Sequence, residues 1–311
     1  MPRRSVHATL HAPAVPGSAR TIRLRDGRTL GFDDFGAPGG VPIVFLHGFA
    51  SSRVLRHPED SIAAEMGIRI IAPDRPGIGL SSRAARRRLL DWPADLEQLL
   101  DACGVQRAGL LAWSGGGPYA LAAGWALPQR VSVAGLVSAA APLAGVRGAN
   151  YLEPMHRVAS RAGVYAPWMI RLAMWNWARQ QRSDPEAHLL AAIESMIEAD
   201  QQILADPALR AVMIANAAEL QRQGGKGLYD EALVMSRRWG FPLEHVNVPV
   251  RIWHGEADVT VPVDMGRYLA RSLPDCRATF YPGEGHHLMY DRWREILSAL
   301  ARETASGRAE N

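Results

Sequence analysis

The sequence predicts an α/β fold in which a mostly parallel sheet carries helices on both faces and is interrupted by an α-helical insertion. Three observations predict it. Short continuous apolar runs recur at 42–46, 68–73, 108–113 and 131–137, which suits strands buried on both faces. Helical patterns separate these runs, and alternation of strand and helix means a parallel sheet. From about Leu143 to Pro242 the strand rhythm stops, and it returns at Val248–Trp253 and Ala278–Tyr281.

Each element has a local reason. Met1 to Arg20 mixes Pro, Ala, Arg and His without the apolar stretch a signal peptide needs, and reads as a disordered tail. Thr21–Leu24 and Thr29–Phe35 flank Asp26-Gly27, a hairpin signal. Pro42–Leu46 ends in His47-Gly48-Phe49, and Ile68–Pro73 ends in Asp74-Arg75-Pro76-Gly77-Ile78-Gly79-Leu80-Ser81. Asp91–Cys103 places Leu96, Leu99 and Leu100 on one helical face. Ala108–Trp113 delivers Ser114, and an Ala-rich helix follows over Ala120–Leu127. In the insertion, Pro154, Pro167, Pro185 and Pro207 start or break helices, with Gly224-Gly225 as a further break. A last amphipathic helix is expected from Asp291 to Arg302, then a flexible end over 303–311. The expected division is a core of 21–142 plus 243–302 and a helical cap of 143–242.

Bulk properties narrow the function. The chain has 311 residues, 48% hydrophobic and 21% charged, an ordinary globular composition with length for a substantial core. The net charge is +4, but acidic residues are interspersed throughout and no aromatic-plus-basic pattern marks a nucleic-acid site. The basic run Arg83–Arg88 reads as a solvated helix face. Cys103 and Cys276 have neither metal nor disulfide spacing. No window is long and apolar enough for a membrane span. The expectations are a cytoplasmic protein with a small-molecule substrate, no cofactor and no metal; self-association into a homo-oligomer stays open.

The chemistry gathers at strand ends. In Ala112-Trp113-Ser114-Gly115-Gly116 a strand turns at once into a helix, and small residues permit the sharp bend of a nucleophile elbow, G-x-S-x-G, here with alanine first. A serine hydroxyl needs an adjacent base, usually a histidine oriented by a carboxylate. His254-Gly255-Glu256-Ala257-Asp258 follows one late strand and Gly283-Glu284-Gly285-His286-His287 the next. Glu256 rivals Asp258 as the acid, and His287 rivals His286 as the base. His47 and His254 read as residues bonding their own loops, and Asp74 as fixing its turn. Among these histidines no pair has the i, i+4 spacing of a metal site.

Five motifs in order, each at a strand end, resemble the α/β-hydrolase fold superfamily from about Thr21 to Arg302, in its serine-nucleophile, esterase-like branch with a large helical cap. They are His47-Gly48-Phe49, Asp74-x-Pro76-Gly77-x-Gly79-x-Ser81, the Ser114 elbow, His254-Gly255-x-x-Asp258 and Gly285-His286. The resemblance implies Ser114 as nucleophile, His286 as base and Asp258 as its partner, with an oxyanion hole from the N–H groups of Phe49 and Gly115. The cap would cover Ser114. Trp113, beside the elbow, and the cap residues Trp168, Trp175 and Trp177 are the expected substrate contacts, and the density of Met and Trp points to an apolar or aromatic acyl group. The expected activity is carboxylic-ester hydrolysis through an acyl-enzyme. The alternatives are hydrolysis of a carbon–carbon bond in a ring-fission diketone, and a ligand-binding receptor built on the same fold. Serine at the elbow argues against dehalogenases and epoxide hydrolases, which the resemblance would give an aspartate there. Glu194, Glu198 and Asp200 would be available to bind an amine in an iminopeptidase.

Overall fold

The computed structural model describes residues 19–145 and 154–309. Eight strands form one sheet in the order β1-β2-β4-β3-β5-β6-β7-β8. These are β1 (Arg20–Arg23), β2 (Thr29–Gly36), β3 (Val41–Leu46), β4 (Ile68–Pro73), β5 (Ala108–Trp113), β6 (Val131–Val137), β7 (Val250–Gly255) and β8 (Cys276–Tyr281). The β1–β2 hairpin and the β2–β4 pair are antiparallel; every later pairing is parallel. The hairpin turns where expected, with Gly27 at φ +86°.

The alternation of side chains along each strand splits the core in two. Val44, Leu46, Leu110 and Ala112 face one cluster, built with α2 (Trp92–Ala102), α3 (Gly117–Ala126) and α10 (Val263–Ser272). Ile43, Phe45, Leu111 and Trp113 face the other, built with α1 (Ser61–Glu65) and α11 (Trp293–Ala309). A strand flanked by two apolar faces must be apolar at every position, which is why β5 and β6 are buried throughout.

Between β6 and β7 lie α4 (Pro154–Tyr165), α5 (Pro167–Ser183), α6 (Pro185–Glu194), α7 (Glu198–Ile203), α8 (Pro207–Leu220) and α9 (Lys226–Ser236). Four of these begin at the prolines that the sequence marks, since proline lacks only an N–H that the first helical turn leaves unpaired anyway. This block docks on the core through buried polar contacts. Arg53 pairs with Asp33, Asp74 and Glu219; Arg75 pairs with Glu231; Asn216 Oδ1 accepts from the Ser52 N–H at 2.8 Å and hydroxyl at 2.9 Å.

Three expectations change. Of the tail expected over 1–20, residues 1–18 lie outside the described residues, and Arg20 already belongs to β1, held by Asp34 at 3.0 Å. The C-terminal segment expected to be flexible continues α11 to Ala309, because Thr304 is buried against Ser132 at 2.9 Å and Glu303 pairs with Arg251 at 2.6 Å. The basic run 83–88 is an irregular loop and not a helix face. Arg86 sits at φ +62°, Arg87 is buried over the Tyr119 ring, and Arg83 pairs with Asp230.

Candidate active site

The elbow is a backbone event. β5 ends at Trp113, Ser114 takes φ +52°, and α3 begins at Gly117. A left-handed conformation is costly for a residue with a Cβ, so it persists only where the surroundings hold it. The glycines supply the room. A Cβ on Gly116 would lie 2.2 Å from Leu46 O, and one on Gly115 would lie 2.7 Å from Phe49 N. The Gly115 and Phe49 backbones therefore lie side by side, next to the serine.

The late strands deliver the partners. Asp258 follows β7; its Oδ1 accepts the N–H groups of Thr260 and Val261 at 2.9 and 2.8 Å, and its Oδ2 lies 2.8 Å from His286 Nδ1. His286 Nε2 lies 3.1 Å from Ser114 Oγ. All three are buried. Of the rival residues, Glu256 pairs with Arg267 at the surface, 2.8 Å away. His287 is buried behind His286 with its Nδ1 3.3 Å from Asp200. A carboxylate, an imidazole and a hydroxyl in this hydrogen-bonded row can move a proton from hydroxyl to ring while the carboxylate stabilises the resulting imidazolium.

Neighbouring groups hold the row in place. Trp113 Nε1 donates to His286 O at 3.1 Å, and the Trp113 ring packs against both His286 and His287. His254 sits under Asp258 with its Nε2 2.8 Å from Val261 O; burial lowers its pKa. His47 Nδ1 lies 3.0 Å from Gly48 O, and burial lowers its pKa well below the usual range. Asp74 accepts from the Arg53 N–H at 2.8 Å and the Leu80 N–H at 2.9 Å, which ties down its turn.

Two acidic residues of the helical insertion reach this machinery, and local sequence signals do not announce them. Asp200, in α7, accepts the backbone N–H of His286 at 3.1 Å and of His287 at 2.8 Å. Burial works to raise its carboxyl, but the His287 side chain and the two N–H donors outweigh this and hold it below the usual carboxylate range. A Cβ on Gly285 would lie 2.4 Å from this carboxylate, so the glycine before His286 is what admits it. Glu231, in α9, pairs with Arg75, whose guanidinium donates to His47 O and, at 2.6 Å, to Gly48 O. These carbonyls immediately precede Phe49.

The fold and the site decide the family. The sequence matches the alpha/beta hydrolase fold family over residues 41–292. The chain belongs to the α/β-hydrolase fold family. Over 274 residues this α/β-hydrolase is 27% identical to the dihydrolipoyllysine-residue acetyltransferase component of an acetoin cleaving system from Pseudomonas putida. That match covers 87% of this chain, which spans only 65% of the length of that relative. It is 24% identical over 306 residues to the 2-hydroxy-6-oxononadienedioate/2-hydroxy-6-oxononatrienedioate hydrolase of Cupriavidus pinatubonensis, covering 92% of this chain and 95% of that one. In fold it is similar to the esterase EaEST from Exiguobacterium antarcticum, with a TM-score of 0.69 and 20% identity over 91% of this chain and 98% of the other.

The four tryptophans expected to contact substrate separate in this α/β-hydrolase. Trp113 is buried beneath the His286 loop, and Trp177 is half-buried in α5. Trp168 and Trp175 stand at the surface, 65% and 59% exposed. Trp175 lines a cavity of about 850 Å³ between α5 and the start of α9, and none of Ser114, Asp258 and His286 is among its lining. The reason is helical periodicity: positions 168 and 175 are two turns apart on one face, and α5 turns that face outward while Ile170 and Ala178 pack inward. Among the described residues no group of three or more His, Cys, Asp or Glu side chains could hold a metal ion, and no helix is long and apolar enough to cross a membrane.

Proposed function

We propose that the chain is a serine hydrolase of carboxylic esters with a mainly apolar or aromatic acyl group. The observation that carries this reading is the row Ser114 Oγ, His286 Nε2, His286 Nδ1, Asp258 Oδ2, with separations of 3.1 and 2.8 Å, ending at a serine held in the elbow conformation. Ser114 Oγ attacks the ester carbonyl and His286 Nε2 takes its proton. The developing oxyanion would be held by the backbone N–H groups of Phe49 and Gly115; the close approach of these two backbones beside Ser114 supports that assignment. Collapse expels the alcohol, which receives the proton from His286. Water, deprotonated by His286, then hydrolyses the acyl-enzyme and restores Ser114. The apolar preference is an expectation from the Met and Trp content of the insertion, whose Ile193, Leu204, Leu209 and Val212 pack into one core cluster with Trp113 and Tyr290.

The test is a panel of p-nitrophenyl esters of rising acyl length, together with labelling by a fluorophosphonate. We expect one label on Ser114 and multiple turnovers, with Ser114→Ala lowering kcat on the order of 10⁶-fold because the triad acts as a unit. Asp258→Asn should cost roughly 10⁴-fold through the wrong imidazole tautomer. More than a tenth of wild-type turnover in Ser114→Ala would remove the nucleophile from the proposal. Carbon–carbon bond hydrolysis has the support of the Cupriavidus relative, named a hydrolase of 2-hydroxy-6-oxononadienedioate and its triene analogue, which aligns over 95% of its length. Turnover of a ring-fission diketone with no turnover of any ester would favour it. Single-turnover acylation alone would favour a receptor.

A further inference from the structure

The outer face of the helical insertion has an unusual surface. Ten large hydrophobic side chains are exposed among the described residues, and seven of them belong to α4 and α5: Val158, Val164, Tyr165, Trp168, Met169, Leu172 and Trp175. On α5 the spacing of Trp168, Leu172 and Trp175 is i, i+4, i+7, one continuous stripe. Clusters of exposed large hydrophobics on a soluble protein mark interaction sites, and these seven sit on two helices packed side by side.

The charges around the stripe have one sign. Between Pro154 and Ser183 the sequence holds Arg157, Arg161, Arg171, Arg179 and Arg182 and no Asp or Glu. All five arginines are exposed. Arg179 lies over the Trp175 ring at 5.8 Å. The cavity beside the stripe adds Arg83 and Lys226 to Arg171, Arg179 and Arg182, and has no carboxylate in its lining. The next acidic side chains, Asp184 and Glu186, come after the helix has ended, and Asp184 is engaged in capping α6.

We propose that α4 and α5 form a docking face for an anionic lipid bilayer. The charge pattern selects this occupant. A helix with Trp and Leu on one stripe, arginines beside it and no acids is built to lie in a membrane interface, rings at the headgroup level and guanidinium groups on the phosphates. A second copy of the chain on the same face would set arginine against arginine across a two-fold axis, which disfavours self-association there. The docking face lies on the insertion itself, so a bilayer-bound protein would hold α4 and α5 at the lipid surface. This inference rests on surface chemistry and does not depend on the ester reading.

The test uses the full chain and sedimentation with large unilamellar vesicles, either pure phosphatidylcholine or phosphatidylcholine mixed with an equal part of phosphatidylglycerol. Wild type should pellet with the anionic vesicles, lose that binding as salt is raised, and stay in the supernatant with the neutral ones. The double variants R171E/R179E and W168A/W175A should each lower the bound fraction by at least on the order of tenfold. Their melting temperatures should match wild type, since the altered side chains are exposed. Three results would overturn the proposal. The first is wild type left in the supernatant with anionic vesicles; the second is pelleting of both variants to the same extent as wild type. The third is a dimer in sedimentation velocity that either double variant converts to monomer, which would make the face a subunit interface.

Discussion

At the scale of single residues the site is a set of short buried contacts, and the least expected of them is Asp200. It reaches from the insertion to the N–H groups of both His286 and His287. The proposed base is thus held through its backbone by a residue outside the proposed triad. Asp200→Ala would leave two buried donors without an acceptor, at about 1–3 kcal/mol each. We expect a lower melting temperature and a kcat reduced roughly 10²-fold, because a shift of about 1 Å in a catalytic group is that costly. Asp200→Asn, which keeps one acceptor oxygen, should recover part of both losses. If Asp200→Ala melts early but keeps wild-type kcat at a temperature where it is folded, the residue only stabilises and does not position.

At the scale of elements, function depends on how closely two backbones approach. The β5–α3 elbow and the loop after β3 meet where Gly115 faces Phe49, and only the absent side chain permits it. Gly115→Ala would place a methyl 2.7 Å from the Phe49 nitrogen. The loop must retreat, and the proposed oxyanion donors separate. Loss of one such donor costs roughly 10²–10³-fold in kcat. Fluorophosphonate labelling and circular dichroism should show a folded protein that acylates slowly. Wild-type kcat in Gly115→Ala would place the oxyanion elsewhere. The loop on the other side, around Arg75, is held by Glu231 of α9, so the helical insertion braces that loop.

At the scale of the whole molecule, several buried titratable groups connect folding to pH. His47, His254 and His287 are buried, and burial lowers the pKa of each below its unfolded value. The unfolded chain therefore binds protons near pH 6.5 that the native state refuses, so stability is fullest above that pH and falls as pH drops through it. Asp74, which burial pushes up to about 6, works in the opposite sense. Asp200, held below the usual carboxylate range, contributes its full stabilisation throughout this window. Three histidines against one carboxyl give a net loss on acidification. Calorimetry should show a melting temperature clearly lower at pH 5.5 than at pH 7.5, and a flat or rising profile toward acid would contradict the neutral burial of these rings.

The sequence by itself determined the sheet, the two helical layers, the insertion and the candidate triad. Those signals are local. An apolar run of six residues reports a strand covered on both faces, proline reports a helix start, and catalytic groups follow strand ends in this architecture. Glu256 and His287 could be set below Asp258 and His286 by resemblance alone, and the structure gives each a partner of its own, Arg267 and Asp200. Only the tertiary structure decided which way α5 turns its tryptophans, because its residues 168, 172 and 175 form an apolar stripe whether that face meets the core or water. It also decided that α11 continues to Ala309, since the contacts of Thr304 and Glu303 are with β6 and β7. Asp200 and Glu231 lie 86 and 156 residues from the groups they hold. A contact across that distance leaves no periodicity in either segment, so its existence depends on how the insertion packs on the sheet.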